Sequence, residues 1–182
     1  MSSLDDLKEL DQFDKFKSFI KDFFIEREDL FRLVWFSNSN PFDEISCPYP
    51  DSPYQLFIPS SSHGCVLFRR KNDVVLSEEC VNVIIDFQSI RKGSSYFLDD
   101  IYIIIRVVTK GSNIQELENG INRSHAIMKL IDNNLNCARV SNIGDVRRES
   151  YKELSLNEEN VGYIGIYTGT VIGNNLLEEA NS

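Results

Sequence analysis

The sequence predicts an α+β domain: an antiparallel sheet with helices packed on one face, a long N-terminal helix and a proline-rich arm. Three observations carry this. Apolar residues in 1–36 recur at steps of three and four, all five prolines fall within 37–62, and 63–177 alternates strand-like segments with one helical stripe. A chain of 182 residues fits one domain, so the three zones are parts of a single unit.

The first zone places Leu4, Leu7, Leu10, Phe13, Phe16, Ile20, Phe23 or Phe24, Leu30, Phe31 and Val34 along one face, with no Gly or Pro between them. That is an amphipathic helix; a break near Lys21–Glu26 would make it two. Asp5, Asp6, Glu9, Asp11 and Asp14 suit the positive end of a helix.

The second zone holds Pro41, Pro48, Pro50, Pro53 and Pro59 among Ser, Asn and Asp. Trp35 and Phe36 stand at its entrance, and Phe42, Tyr49, Tyr54 and Phe57 follow. Irregular segments this long are uncommon in compact domains and are usually functional or linkers. This one is too aromatic for a flexible linker. It reads as an ordered arm lying on its own surface or on a partner's. Deleting Ser37–Ser62 is therefore expected to leave the sheet folded.

In the third zone Cys65–Arg69 and Val74–Leu76 read as short strands. Glu79–Phe87 alternates, with Val81, Val83, Ile85 and Phe87 on one side. Arg91-Lys92-Gly93-Ser94-Ser95 is a turn, and Tyr96–Thr109 completes an antiparallel hairpin. Ser112 then opens a helix with Gln115 as capping-box partner. Its stripe runs Ile114, Leu117, Ile121, Ser124, Met128, Ile131, Leu135. Cys137–Val146 and Val161–Ile172 close the domain as strands. Gly162, Gly165 and Gly169 suggest twist, bulges or close backbone approach in the last one. Ile101–Val108 is apolar on both faces. An antiparallel sheet usually leaves one face wet, so the second face calls for cover by the N-terminal helix, the arm or another subunit, and a homo-oligomer is expected.

Composition narrows function. The chain is 42% apolar and 11% aromatic, enough to build a core. Its net charge of −9 disfavours binding to nucleic-acid phosphates or to an anionic membrane. No apolar run approaches the roughly 20 residues that cross a bilayer, and the opening Met-Ser-Ser-Leu-Asp-Asp is acidic where a signal peptide is basic. A soluble cytoplasmic chain is expected. Cys47, Cys65, Cys80 and Cys137 have neither CxxC nor zinc spacing and read as reduced thiols.

The search for chemistry finds little. His63 and Cys65 are two apart and would share a face of a strand as a nucleophilic pair must, but no third orienting group accompanies them. His125 borders the helical stripe and reads as a hydrogen-bonded residue. Glu78-Glu79 and Asp99-Asp100 flank strand ends, where charge is commonplace, and Glu158-Glu159 and Glu178-Glu179 read as solvated. Gly162-x-x-Gly165-x-x-x-Gly169 has no following Lys or helix and is no phosphate loop. Arg69-Arg70-Lys71, Arg91-Lys92 and Arg147-Arg148 are small basic spots. No enzyme, cofactor or metal is expected.

One pattern resembles a known family. Cys80-Val-Asn-Val-Ile-Ile-Asp-Phe87 is followed by Tyr102-Ile-Ile-Ile-Arg-Val-Val108. A helix opening near Asn113 then carries Arg123 and ends in Ile127-Met-Lys-Leu-Ile-Asp132. Val140-Ser-Asn-Ile-Gly-Asp145 and Val161-Gly-Tyr-Ile-Gly-Ile-Tyr167 complete it. Over about Glu79–Ile172 this order resembles the tail terminator (tail completion) and neck proteins of tailed bacteriophages. The resemblance implies a structural virion protein assembled in the host cytoplasm. Its expected partners are itself in a ring, commonly a hexamer, the tail tube protein and the head connector, with the genome passing through and no membrane or specific nucleic acid bound. Another neck or tail adaptor ring, or a cellular protein-binding adaptor, are the alternatives. Trp35, Phe36, Tyr49, Tyr54 and Phe57 are the expected interface anchors, joined by Arg91 and Lys92 at the hairpin.

Overall fold

The computed structural model describes residues 4–59, 62–68, 79–92, 98–140, 144–155 and 160–172. Arg69-Arg70-Lys71, the Val74–Leu76 strand, Glu78, Gly93-Ser94-Ser95 of the expected turn, Glu158-Glu159 and Glu178-Glu179 lie outside the described residues; Arg91 and Lys92, read as part of that turn, are instead strand, paired with Asp100 and Asp99. Among the described residues no helix is long and apolar enough to cross a membrane.

The N-terminal stripe forms two helices, α1 (Leu4–Ile25) and α2 (Glu28–Trp35). The chain turns at Arg27, whose backbone is extended. Arg27 reaches over the start of α2 and its Nη2 donates to Asp29 Oδ2 at 2.7 Å. Asp29 Oδ1 also accepts from the Leu30 amide, which places a carboxylate on the positive end of α2. Phe16, Ile20 and Phe24 of α1, four residues apart, are buried with Leu30, Phe31, Leu33 and Val34 of α2.

The main sheet is mostly antiparallel, in the order β1-β2-β3-β7-β6. β1 is Cys65–Phe68, β2 is Cys80–Lys92, β3 is Leu98–Lys110, β6 is Arg147–Ser155 and β7 is Asn160–Ile172. The hairpin of β2 and β3 forms as the alternation predicts. β1 runs parallel to β2, the one parallel pair among the described strands. Val66, Val81, Val83, Ile85, Ile101, Ile103, Ile105, Val107 and Tyr167 meet the helices in one buried cluster. On the other side of the same strands Ile84, Ile104 and Val108 are also buried, so both faces of β2–β3 are withdrawn from solvent. In β7 the glycines make room: a Cβ on Gly162 would lie 2.1 Å from the Val107 carbonyl oxygen, and one on Gly165 would strike the Tyr167 ring at 2.8 Å.

Two elements differ from expectation. The third helix, α3, spans Arg123–Leu135 rather than starting at Ser112, and Ser112–Ile114 is only a 3-10 turn. Gly120 takes φ +75° in the turn that follows, which a right-handed helix cannot include. Gln115 therefore ends the short 3-10 turn instead of standing in the first turn of a long helix, and its carbonyl accepts the Arg123 amide at 2.8 Å. Asn122 is the cap, its side-chain oxygen accepting the His125 amide at 3.0 Å. Ile121 is half exposed instead of lying in the stripe.

Cys137–Val146 is likewise not one strand. Arg139–Val140 and Gly144–Asp145 form a two-residue ribbon, β4 and β5. The next long strand is β6, which carries five charges in nine residues and ends the sheet. Charged edge strands resist unwanted pairing, and those charges hide the alternation by which a strand is recognised.

Candidate functional site

The arm begins where α2 ends. Trp35, half-buried, stacks on Phe31 (centroids 5.4 Å apart) and on the His63 ring (3.7 Å). Phe36 is the C-cap of α2. Its carbonyl accepts a hydrogen bond from Arg123 Nη1 at 2.5 Å, and Arg123 Nη2 donates to the Asn38 carbonyl. Arg123 is fully buried. Its Nε has no partner among the described residues, and burial pulls its pKa down to about 10. Arg32 makes a second clasp: Nη1 donates to the carbonyls of Glu44 (2.9 Å) and Pro41 (3.4 Å) while Nε holds Glu28. Two arginines thus grip four carbonyls of the irregular chain, which has no ladder of its own to satisfy them.

The underside of the arm belongs to the core. Tyr49 packs against Phe31 at 5.6 Å. Pro53 and Leu56, in the 3-10 turn Pro53–Phe57, are buried. Phe57 lies 6.2 Å from Phe68 and edge-on to Phe24 at 6.4 Å. The outer side is different: Ile45 is 98% exposed, Tyr54 67%, Ile58 60% and Phe42 50%. Of the aromatic anchors read from the sequence, Trp35, Tyr49 and Phe57 therefore turn inward and Tyr54 outward. Arg91 and Lys92 stand at the hairpin end of β2, in register with Asp100 and Asp99. Where the arm meets the 117–121 turn, an open pocket of about 500 Å³ is lined by Asn38, Asn40, Asp43, Glu44, Ile45 and Glu118, with neighbouring serines.

His63 and Cys65 are engaged separately. The imidazole lies on Trp35 with Nδ1 2.9 Å from its neighbour's carbonyl oxygen, and the buried Cys65 thiol donates to Asn82 Oδ1 at 2.9 Å. His125 is exposed beside Tyr163, 4.9 Å between centroids. All four cysteines are present as thiols. Among the described residues no group of three or more His, Cys, Asp or Glu is placed to hold a metal ion.

Sequence reasoning missed a polar knot beneath α3. The Tyr167 hydroxyl donates to Asp132 Oδ1 (3.2 Å), and Arg148 Nη1 donates to Asp132 Oδ2 (2.5 Å). Its members are 16 and 35 residues apart, so no local motif announces them. Burial, and then Asp132, push the Tyr167 phenol far above its ordinary value of 10.0. Burial, with smaller contributions from Tyr163 and Asp132, raises Tyr151 to about 12. A folded state that keeps protons the unfolded chain releases loses stability as pH rises. The stabilisation is intact below pH 10 and falls from there through about 12. Arg123 acts oppositely in that range, because its lowered pKa relieves a buried charge. Tyr151 and Tyr167 each keep a proton in the folded state against the one that Arg123 gives up, so the loss of stability prevails. The urea midpoint is expected to drop across this window, and Tyr167→Phe to remove most of the drop; an unchanged slope would contradict this account.

The fold and the clasped arm define an α+β protein built on one five-stranded sheet, with a two-stranded ribbon beside it and an ordered surface arm. Residues 28–168 match the YomW family model, from the first turn of α2 to near the end of β7. The chain belongs to the YomW family, a family of phage-region proteins. No curated protein matches it.

Proposed function

We propose that the protein is a structural component of the phage virion. In this reading it forms a ring at the head–tail junction, the tail terminator, capping the tail tube and joining it to the head connector. The observation that carries the proposal is the arm. It is gripped from within by Arg123 and Arg32, while Tyr54 and Ile58 on its outer side remain exposed. Apolar groups fixed on a rigid surface are suited to contact a neighbour. A ring contact is heterologous and must close, and an outward arm supplies one half of such a contact. Membership of a phage-region family supports a virion setting. Another neck ring would share this assembly and differ in the proteins it joins.

The test is native mass across concentration, with particle images. A closed ring of the wild type is expected. Tyr54→Ser with Ile58→Ser is expected to leave a folded monomer, stability changing by less than about 0.5 kcal/mol because both residues are at the surface. A ring that survives the double variant, or a wild type that stays monomeric even with tube protein present, would overturn the proposal. Point variants replace deletion of the arm: buried Pro53 and Leu56 make it part of the core, so removing 37–59 would open the sheet domain.

A further inference from the structure

We propose that the patch formed by Lys21, Tyr54 and Ile58 docks, on the next copy of this chain, against the patch formed by Ile45 and the 117–121 turn. One subunit thus carries both halves of a head-to-tail contact. This inference deepens the ring reading and rests on it.

Among the described residues, the exposed large apolar side chains fall into two groups, one at each end of the arm. Tyr54 and Ile58 belong to the 3-10 turn Pro53–Phe57 and its end, and that turn packs on β1, an edge strand. Phe42 and Ile45 stand with Ile121 where the arm meets the 117–121 turn, fastened there by the Glu118 amide, which donates to the Ser39 carbonyl at 3.1 Å. The 117–121 turn leads into α3, which packs on β3 and β7, two and three strands from β1. At about 4.8 Å per strand the groups stand roughly 10–14 Å apart across the sheet, so they are two patches and not one.

The patches carry opposite charge. At the first, Lys21 of α1 holds Nζ over the Phe57 and Phe68 rings, 5.8 and 5.9 Å from their centroids, and has no carboxylate partner among the described residues. At the second, Asp43 and Glu118 accept from the Asn40 amide (2.6 and 2.9 Å), and no Lys or Arg is among the residues lining that pocket. Apolar residues beside a cation and apolar residues beside carboxylates are complementary. The charges also set the pairing. Two copies meeting first patch to first patch would oppose lysine to lysine, and second to second would oppose carboxylate to carboxylate. The heterologous contact is the one that satisfies both, and it is the kind that generates a ring when the rotation closes. Because each copy supplies both halves, the occupant is a second copy.

Mixing two broken variants tests this by native mass. Tyr54→Ser with Ile58→Ser removes the first patch, and Asp43→Lys with Ile45→Ser the second. All four residues are exposed, and thermal melts verify that both variants fold. Each is expected to be monomeric at concentrations where the wild type forms its ring. Mixed one to one, they are expected to give particles of two chains and nothing larger, because one intact contact forms and the ends left over are both broken. Lys21→Glu is expected to weaken assembly at least about tenfold, and Asp43→Lys with Glu118→Lys in the same chain to restore it. A mixture that stays monomeric, a charge swap that restores nothing, or a second-patch variant that still forms the ring would each put the contact elsewhere, overturning the inference while the ring reading stands. A wild type that forms no ring overturns that reading, and the contact with it.

Discussion

Arg123→Ala is expected to destabilise the protein by about 3 kcal/mol, lowering the melting temperature by roughly 10 °C for a chain of this size. Three effects act at once. Two charge-assisted hydrogen bonds disappear, each contributing about 1.5–3 kcal/mol. The Phe36 and Asn38 carbonyls lose their donor at the root of the arm. A cavity opens where one of the largest fully buried side chains stood. Against this, burial of the guanidinium is relieved, the same cost that lowers its pKa to about 10. Arg123→Met separates the contributions: it keeps most of the volume and removes the buried charge, so its deficit should be about half that of Ala. Hydrogen exchange at the Glu118 amide, which bonds to Ser39 in the arm, reports whether the arm loosens locally. An Ala variant as stable as wild type would show that the arm does not depend on this clasp.

How much of this was legible in the sequence depended on periodicity. The helical stripe through Phe16, Ile20, Phe24, Leu30 and Val34 is buried as its spacing required. The alternation in β2 and the apolar run of β3 located the central hairpin for the same reason. Spacing misled at the start of α3, because Ile114, Leu117 and Ile121 step by three and four across a turn. The decisive residues there were Gly111 and Gly120, both at positive φ. β6 escaped notice since an edge strand has few residues to bury. In the arm, composition announced an ordered aromatic segment. With no repeat to follow, nothing local distinguished inward Tyr49 and Phe57 from outward Tyr54 and Phe42. Arg123 was visible as a residue of the helix, but its role depends on carbonyls 87 and 85 residues away.

Gly64→Ala is the second large effect expected, at about 3 kcal/mol. A Cβ at this position would lie 1.9 Å from the Val34 carbonyl oxygen and 2.4 Å from that of Val81. Both are main-chain atoms, one in α2 and the other in β2, so no rotamer change can clear them. The helix must instead move off the sheet. Overpacking of a core typically costs about 1–3 kcal/mol, and two rigid obstacles put this case at the upper end. The displacement would also disturb Trp35, whose carbonyl accepts the Gly64 amide at 3.4 Å and whose ring stacks on His63. Gly120→Ala provides the contrast. Nothing lies within 4 Å of a Cβ there, and the cost is only that of a positive φ, about 1 kcal/mol. Urea unfolding of both variants should rank Gly64 well above Gly120. Equal deficits would mean that α2 is not seated on the strands through this glycine. Because Trp35 carries the root of the arm, the Gly64 variant should in addition weaken the proposed ring assembly at concentrations where its sheet remains folded, which links the seating of one helix to the surface the arm presents.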